Sequence, residues 1–156
     1  MDKTSFTANK NVVTITRVFD ASREKLYTAF IDPAYIPRWW GPEAYTTTVE
    51  KMDVRPGGAW RFVQKDKEGK VFAFNGVFKE VKEPEKIVQT FTYEAEPEKS
   101  STQTAVLADM KGKTKLTIRV VFHTEEDLKS MVEKQMEWGE RQSMERLANL
   151  VEKPGA

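Results

Sequence analysis

The chain has 156 residues, with 25 Lys and Arg against 24 Asp and Glu, one His and no Cys. A net charge of +1 offers no electrostatic footprint for nucleic acid or an anionic membrane surface, and the lack of cysteine excludes a disulfide framework and every thiolate metal site. The length fits a single domain spanning residues 1–156, with a core over about 11–152 that buries roughly 70% of the unfolded surface without staples.

The N-terminus, Met-Asp-Lys-Thr-Ser-Phe-Thr, has no basic start followed by an apolar run, and no window approaches the roughly 18 apolar residues of a membrane span. The expectation is an unexported, cytoplasmic protein with no stable membrane insertion. From Asn11 to Phe19 the residues alternate and are rich in β-branched side chains, which predicts a first strand. Ser22 offers a helix N-cap, and Leu26, Ala29 and Phe30 then share a helical face. Asp32-Pro33 stops that helix and supplies an N-cap and first-position proline for a second short one.

The thirteen residues from Phe30 to Pro42 hold Pro33, Pro37, Pro42 and the adjacent pair Trp39-Trp40. Proline restricts the backbone and two neighbouring indoles cannot face the same way, so the segment reads as a rigid helical flap. One ring is expected to anchor the flap, the other to turn toward whatever lies beneath it. After Gly41-Pro42 the texture becomes that of strands, at about Tyr45–Val54, Ala59–Gln64, Val71–Val81, Lys86–Glu94, Thr102–Met110 and Thr114–His123. Turn residues between them are Pro56-Gly57-Gly58, Lys67-Glu68-Gly69, Glu83-Pro84 and Lys111-Gly112-Lys113, connections too short for crossovers, so the six strands form an antiparallel meander.

Thr124 followed by Glu125, Glu126 and Asp127 opens a helix that is predicted to run unbroken to about Glu152, ahead of Pro154-Gly155. Such a helix of about 28 residues is roughly 42 Å long. The fold class is therefore α+β: a curved antiparallel sheet wrapped around a long C-terminal helix, with two short helices after the first strand.

Helical rotation puts Leu128, Val132, Met136, Gly139, Ser143, Leu147 and Leu150 on one broad face. Its ends are large and apolar, but its middle is Gly139 and Ser143, where a packed core would carry Leu or Ile. The facing strands supply Trp60 with Phe62, Phe72 with Phe74 and Phe78, and Phe91 with Tyr93. Two readings follow: a ring packed against Gly139, or an open cavity. In the second, Trp39, Trp40, Trp60, Phe62, Phe74, Phe91, Tyr93, Met136, Gly139 and Ser143 are the candidate ligand-binding residues.

Conventional catalytic chemistry finds no support. One histidine cannot build a zinc site, and nucleophile-elbow, phosphate-loop, dinucleotide and metalloprotease motifs do not occur, so no catalytic residue, metal or cofactor is assigned. His123 reads as an exposed or capping residue, and Asp53 with Arg55 as a strand-edge ion pair. Arg17 shares parity with Ile15 and Phe19; either it faces the core and needs an anion or ligand headgroup, or this strand turns its other face inward.

The blocks Arg17-Val-Phe-Asp-Ala-Ser-Arg-Glu-Lys-Leu-Tyr-Thr-Ala-Phe-Ile-Asp-Pro33, Arg38-Trp-Trp-Gly-Pro42, Asp53-Val-Arg-Pro-Gly-Gly-Ala-Trp60 and Gly76-Val-Phe-Lys-Glu-Val81 resemble the START-like (SRPBCC) superfamily. Within it, the chain is most similar to the family related to the C-terminal domain of the heat shock protein 90 ATPase activator. The resemblance extends from about Val12 to Val151 and implies a helix-grip fold with a deep cavity between sheet and helix. It also implies a hydrophobic small molecule or lipid as partner, since members of the superfamily bind lipids, sterols and polyketides. A chaperone is the second partner it implies, although nothing before Val12 corresponds to a separate chaperone-binding domain. An enzyme of the cyclase or hydrolase type, with Tyr93, His123 or a buried acid carrying protons, is the third reading. Oligomeric state is not set by the sequence.

Overall fold

The computed structural model describes residues 3–152; the Pro154-Gly155 stop falls outside them. Alternating side chains build one sheet of eight antiparallel strands: β1 (Ser5–Asn9), β2 (Val12–Phe19), β3 (Thr46–Met52), β4 (Ala59–Lys65), β5 (Val71–Lys82), β6 (Lys86–Tyr93), β7 (Ser101–Met110) and β8 (Lys113–Phe122). Their order in space is β1-β2-β8-β7-β6-β5-β4-β3. The expected meander thus runs from β3 to β8, and β2 joins its end.

Strand β1 was not anticipated. Its five residues, Ser-Phe-Thr-Ala-Asn, lie at the sheet edge almost entirely exposed, so no inward apolar alternation marks them. They pair with β2 through a tight turn in which Lys10 takes a positive φ of 55°. Strand β2 is therefore interior, and Val13, Ile15, Arg17 and Phe19 all point into the core. Arg17 finds its anion within the protein: its Nη1 donates to Glu145 Oε2 at 2.9 Å and to Thr4 Oγ1 at 3.3 Å, and its guanidinium lies 5.4 Å from the Phe19 ring centre.

Helix α1 (Arg23–Ile31) starts as expected, with Ser22 Oγ accepting from the Lys25 amide, and buries Leu26, Tyr27 and Ala29. Helix α2 (Ile36–Trp39) begins later than the Asp32-Pro33 signal implied. Asp32 instead organises a turn, its carboxylate accepting from the Ala34 amide and its carbonyl from Tyr35, and Pro37 occupies the first turn of the helix.

The long C-terminal helix is interrupted. It consists of α3 (Glu125–Glu133), capped by Thr124 Oγ1 on the Asp127 amide, and α4 (Met136–Val151). Between them Gln135 adopts the left-handed conformation, φ 66°. Glu133, Lys134 and Gln135 are all exposed, so no apolar side chain holds this turn in register with the sheet, and Lys134 is bound sideways to Glu96. Beyond this break, Leu147, Ala148 and Val151 belong to one buried core with Leu26, Phe19 and Leu116.

Candidate functional site

The flap from Pro37 to Glu43 is clamped to one side of α4. Ser143 Oγ accepts from the Gly41 amide at 2.8 Å, Gln142 Oε1 accepts from the Glu43 amide at 2.9 Å, and Arg146 Nη1 donates to the Gly41 carbonyl at 2.9 Å. Gly41 is required here: its φ is 88°, and a Cβ would stand 1.7 Å from Gln64 Nε2. The two indoles diverge as the prolines dictate. Trp39 is buried, donates its Nε1–H to the Ala29 carbonyl at 2.9 Å and meets Phe30 edge-on at 4.9 Å. Trp40 turns to the sheet, edge-on to Phe62 at 5.1 Å and to Phe74 at 5.4 Å.

Under this flap the sheet and the first half of α4 enclose a cavity of about 640 Å³. Phe62, Phe74, Phe91 and Tyr93 line its sheet side, Met136, Gly139 and Ser143 its helix side, and Trp39 and Trp40 its roof. Gly139 faces open space rather than a ring; a Cβ there would meet only Pro42 Cγ, at 3.9 Å. Ser143 lines the same space, though its hydroxyl is engaged by the flap.

Trp60 is the one candidate that the fold does not bring to the cavity surface. It is 1% exposed, lies 4.7 Å from Phe62 and 5.9 Å from Phe91, and supports them from below. The reason is its register partner, Gly76: a Cβ there would sit 2.6 Å from Trp60 Nε1 and 1.9 Å from the Thr90 carbonyl. The bare backbone lets the indole lie flat on the sheet, where its N–H has no protein acceptor among the described residues.

The rim lies where α3 and α4 part. Glu96, in the segment after β6, binds both Lys99, at 2.7 Å, and Lys134 from the helix break. Lys99 also donates to Ser130 Oγ at 2.9 Å, so the cluster ties the β6–β7 connection to α3. Lys134, foremost, and Lys99 hold the Glu96 carboxyl below its ordinary range. Trp138 stands exposed beside them and also lines the cavity.

Beyond Ser143 and Tyr93, the cavity holds polar residues that the sequence pattern alone does not single out. Gln89 and Gln103 face one another across β6 and β7, line the cavity, and have no side-chain hydrogen bond among the described residues. Their inward parity, between Ile87 and Phe91 and between Ser101 and Ala105, was the available signal. Glu140 had no such signal, since a glutamate between Gly139 and Arg141 looks like solvent-facing helix charge. It lines the cavity half-buried, and burial among apolar groups raises its carboxyl pKa to about 7.

His123 is exposed, as expected, 3.2 Å from Ser100 Oγ, and Asp53 pairs with Arg55 at 2.8 Å. Among the described residues no cluster of three acidic or histidine side chains could hold a metal ion, and no helix is long and apolar enough to cross a membrane.

A curved sheet gripping a C-terminal helix above an aromatic cavity defines a helix-grip, SRPBCC-type protein. The family described as activator of Hsp90 ATPase homolog 1-like protein matches residues 20–152, and the chain belongs to that family. Solved structures repeat the architecture. An Arthrobacter aurescens protein has a TM-score of 0.90 at 23% identity, over 97% of this chain and 92% of that one. Protein Ms6760 from Mycobacterium smegmatis has a TM-score of 0.83 at 22% identity, over 94% and 97%. Protein CV1439 from Chromobacterium violaceum has a TM-score of 0.78 at 27% identity, over 92% and 98%. Among curated proteins, none matches the chain.

Proposed function

We propose that this chain is a single-domain, cytoplasmic binding protein for a hydrophobic or amphipathic small molecule, held in the cavity between sheet and α4. The observation that carries the reading is the open space at Gly139 facing Phe62, Phe74 and Phe91, within a cavity of about 640 Å³. That volume lies within the roughly 300–1,000 Å³ of small-molecule sites. Hiding about 300 Å² of ligand apolar surface is worth roughly 7 kcal/mol before association costs, enough for micromolar binding. The lining carries no nucleophile–base pair, so binding rather than turnover is the fitting role.

Native mass spectrometry of the purified chain, with a thermal-shift panel of lipids and aromatic compounds, tests this. A carried ligand or a concentration-dependent rise in Tm is the expected result; a chain that carries nothing and never shifts refutes it. A second reading, contact with the ninety-kilodalton chaperone, rests on the family match alone. Unchanged chaperone ATPase turnover at high concentration of this protein removes that one.

A further inference from the structure

Five charged residues line the cavity, and four are spoken for: Glu96, Lys99 and Lys134 form the rim cluster, and Lys70 lies 5.2 Å from the Phe72 ring centre. Glu140 is the fifth. Its helix neighbours Glu137 and Arg141 bind each other at 2.9 Å, and Glu140 itself has neither ion pair nor hydrogen bond among the described residues. An unpartnered carboxyl in an apolar site is costly to the free protein, and a bound cation offsets that cost best. The surrounding walls favour the same charge. Trp40, Phe62, Phe74 and Phe91 present a continuous group of rings, whose negative faces attract an ammonium group.

We propose that the cavity selects amphipathic amines, with Glu140 receiving the ligand's ammonium group and the aromatic strands its apolar body. This rests on the cavity being a ligand site. An ammonium–carboxylate hydrogen bond is roughly twice as strong as a neutral one, so an amine gains over the matching alcohol. A carboxylate ligand meets a second negative charge and is disfavoured. Gln89 and Gln103, with free amide groups, offer further acceptors and donors to the polar end.

Amine binding is also pH-coupled. Burial leaves Glu140 partly protonated near neutrality, so affinity for a permanently protonated amine rises from pH 6 to pH 8 as that proton is lost. The other titratable or charged groups around the cavity are Tyr45, Tyr93 and Lys70 on the sheet side, Glu96, Lys99 and Lys134 at the rim, and Glu137 and Arg141 on α4. Lys134 and Lys99 depress Glu96, and Glu96 raises Lys99, so both keep their charge through that window.

The test is calorimetric titration of the full chain and of Glu140→Gln with 6-phenylhexylamine, 6-phenylhexan-1-ol and 6-phenylhexanoate, at pH 6 and pH 8. The expected result at pH 8 is an amine bound at least tenfold more tightly than the alcohol, with the carboxylate weakest. At pH 6 the amine weakens several-fold while the alcohol does not. Glu140→Gln abolishes the amine preference and keeps the alcohol, which also shows that the variant is folded; should it bind neither, the wild-type amine-to-alcohol ratio and its pH dependence decide. Equal amine and alcohol binding, or a preference that survives in Glu140→Gln, overturns the proposal and leaves the cavity reading intact. If the wild type binds none of the three, the amine proposal falls, and the cavity reading is decided by the mass-spectrometric and thermal-shift test above.

Discussion

Two halves of one helix lie on the same sheet and are built to different ends. From Leu147 to Val151 the inner face of α4 is solid: Leu147 and Ala148 are each 1% exposed or less and share one buried core with Phe19, Leu26 and Leu116. From Met136 to Ser143 the same face carries a methionine, a glycine, a glutamate and a serine around open space. The glutamates repeat the contrast. Glu145, level with the solid half, receives Arg17 at 2.9 Å, whereas Glu140, in the hollow half, receives nothing from the described protein. One half invests its residues in packing; the other leaves both volume and charge unmatched, and a ligand is the group that would match them.

The most forceful way to separate the halves is truncation. Leu147→Ala removes a fully buried side chain from a site closed on all sides, so a loss of about 3 kcal/mol is expected. Met136→Ala, beside the cavity, is expected to cost less than about 1 kcal/mol, because its side chain is only partly packed and no new sealed void forms. Urea denaturation measures both. Equal losses would show that the two halves are packed alike.

The next largest effect is on the pH dependence of stability. Glu140 has an ordinary pKa of 4.5 and a folded value of about 7. Below 4.5 the group is protonated in both states and changes nothing; as pH rises from 4.5 to 7 the unfolded chain ionises first, so stability falls and stays lower above 7. At 1.36 kcal/mol per unit the loss is no more than about 3 kcal/mol, and water reaching the cavity reduces it. Glu140→Gln is therefore expected to be more stable than wild type at pH 8 and equal to it at pH 4. Glu94, on the outer face of the sheet, moves the other way: Arg61, first, and Asn75 hold it down to about 2, so its contribution is present above 4.5 and lost as the pH falls toward 2. A wild-type stability curve flat from pH 5 to pH 8 would contradict the burial assigned to Glu140.

These two carboxylates also mark the limits of what could be read in advance. Periodicity located the six meander strands, the Ser22 and Thr124 caps and the gap at Gly139, because each is a local pattern with a local physical cause. The Trp39–Trp40 divergence was legible from backbone restriction alone. Strand β1 was not legible, since an exposed edge pairs through its backbone and leaves no apolar pattern. The break at Gln135 was invisible for a related reason: the residue lies among good helix formers, and the tie of the neighbouring Lys134 to Glu96 is made only in the folded protein. Trp60 shared its strand face with Phe62, yet only the pairing with Gly76 sends it beneath the surface. Glu140 needed the helix to be docked before its side could be known.

A smaller but sharper change is Gly139→Leu, which fills the hollow half with the residue the solid half uses. Helix propensity alone favours leucine by somewhat under 1 kcal/mol, and the new side chain enters space where a Cβ meets only Pro42, at 3.9 Å. The variant is expected to gain about 1 kcal/mol and to lose at least tenfold in affinity for any ligand the wild type binds, measured by thermal denaturation and titration on the same samples. Greater stability with undiminished binding would move the ligand away from α4. Lower stability would mean that the space beside Gly139 is not free to be filled. Only a rise in one quantity against a fall in the other fits a helix whose first half gives up packing to keep a cavity.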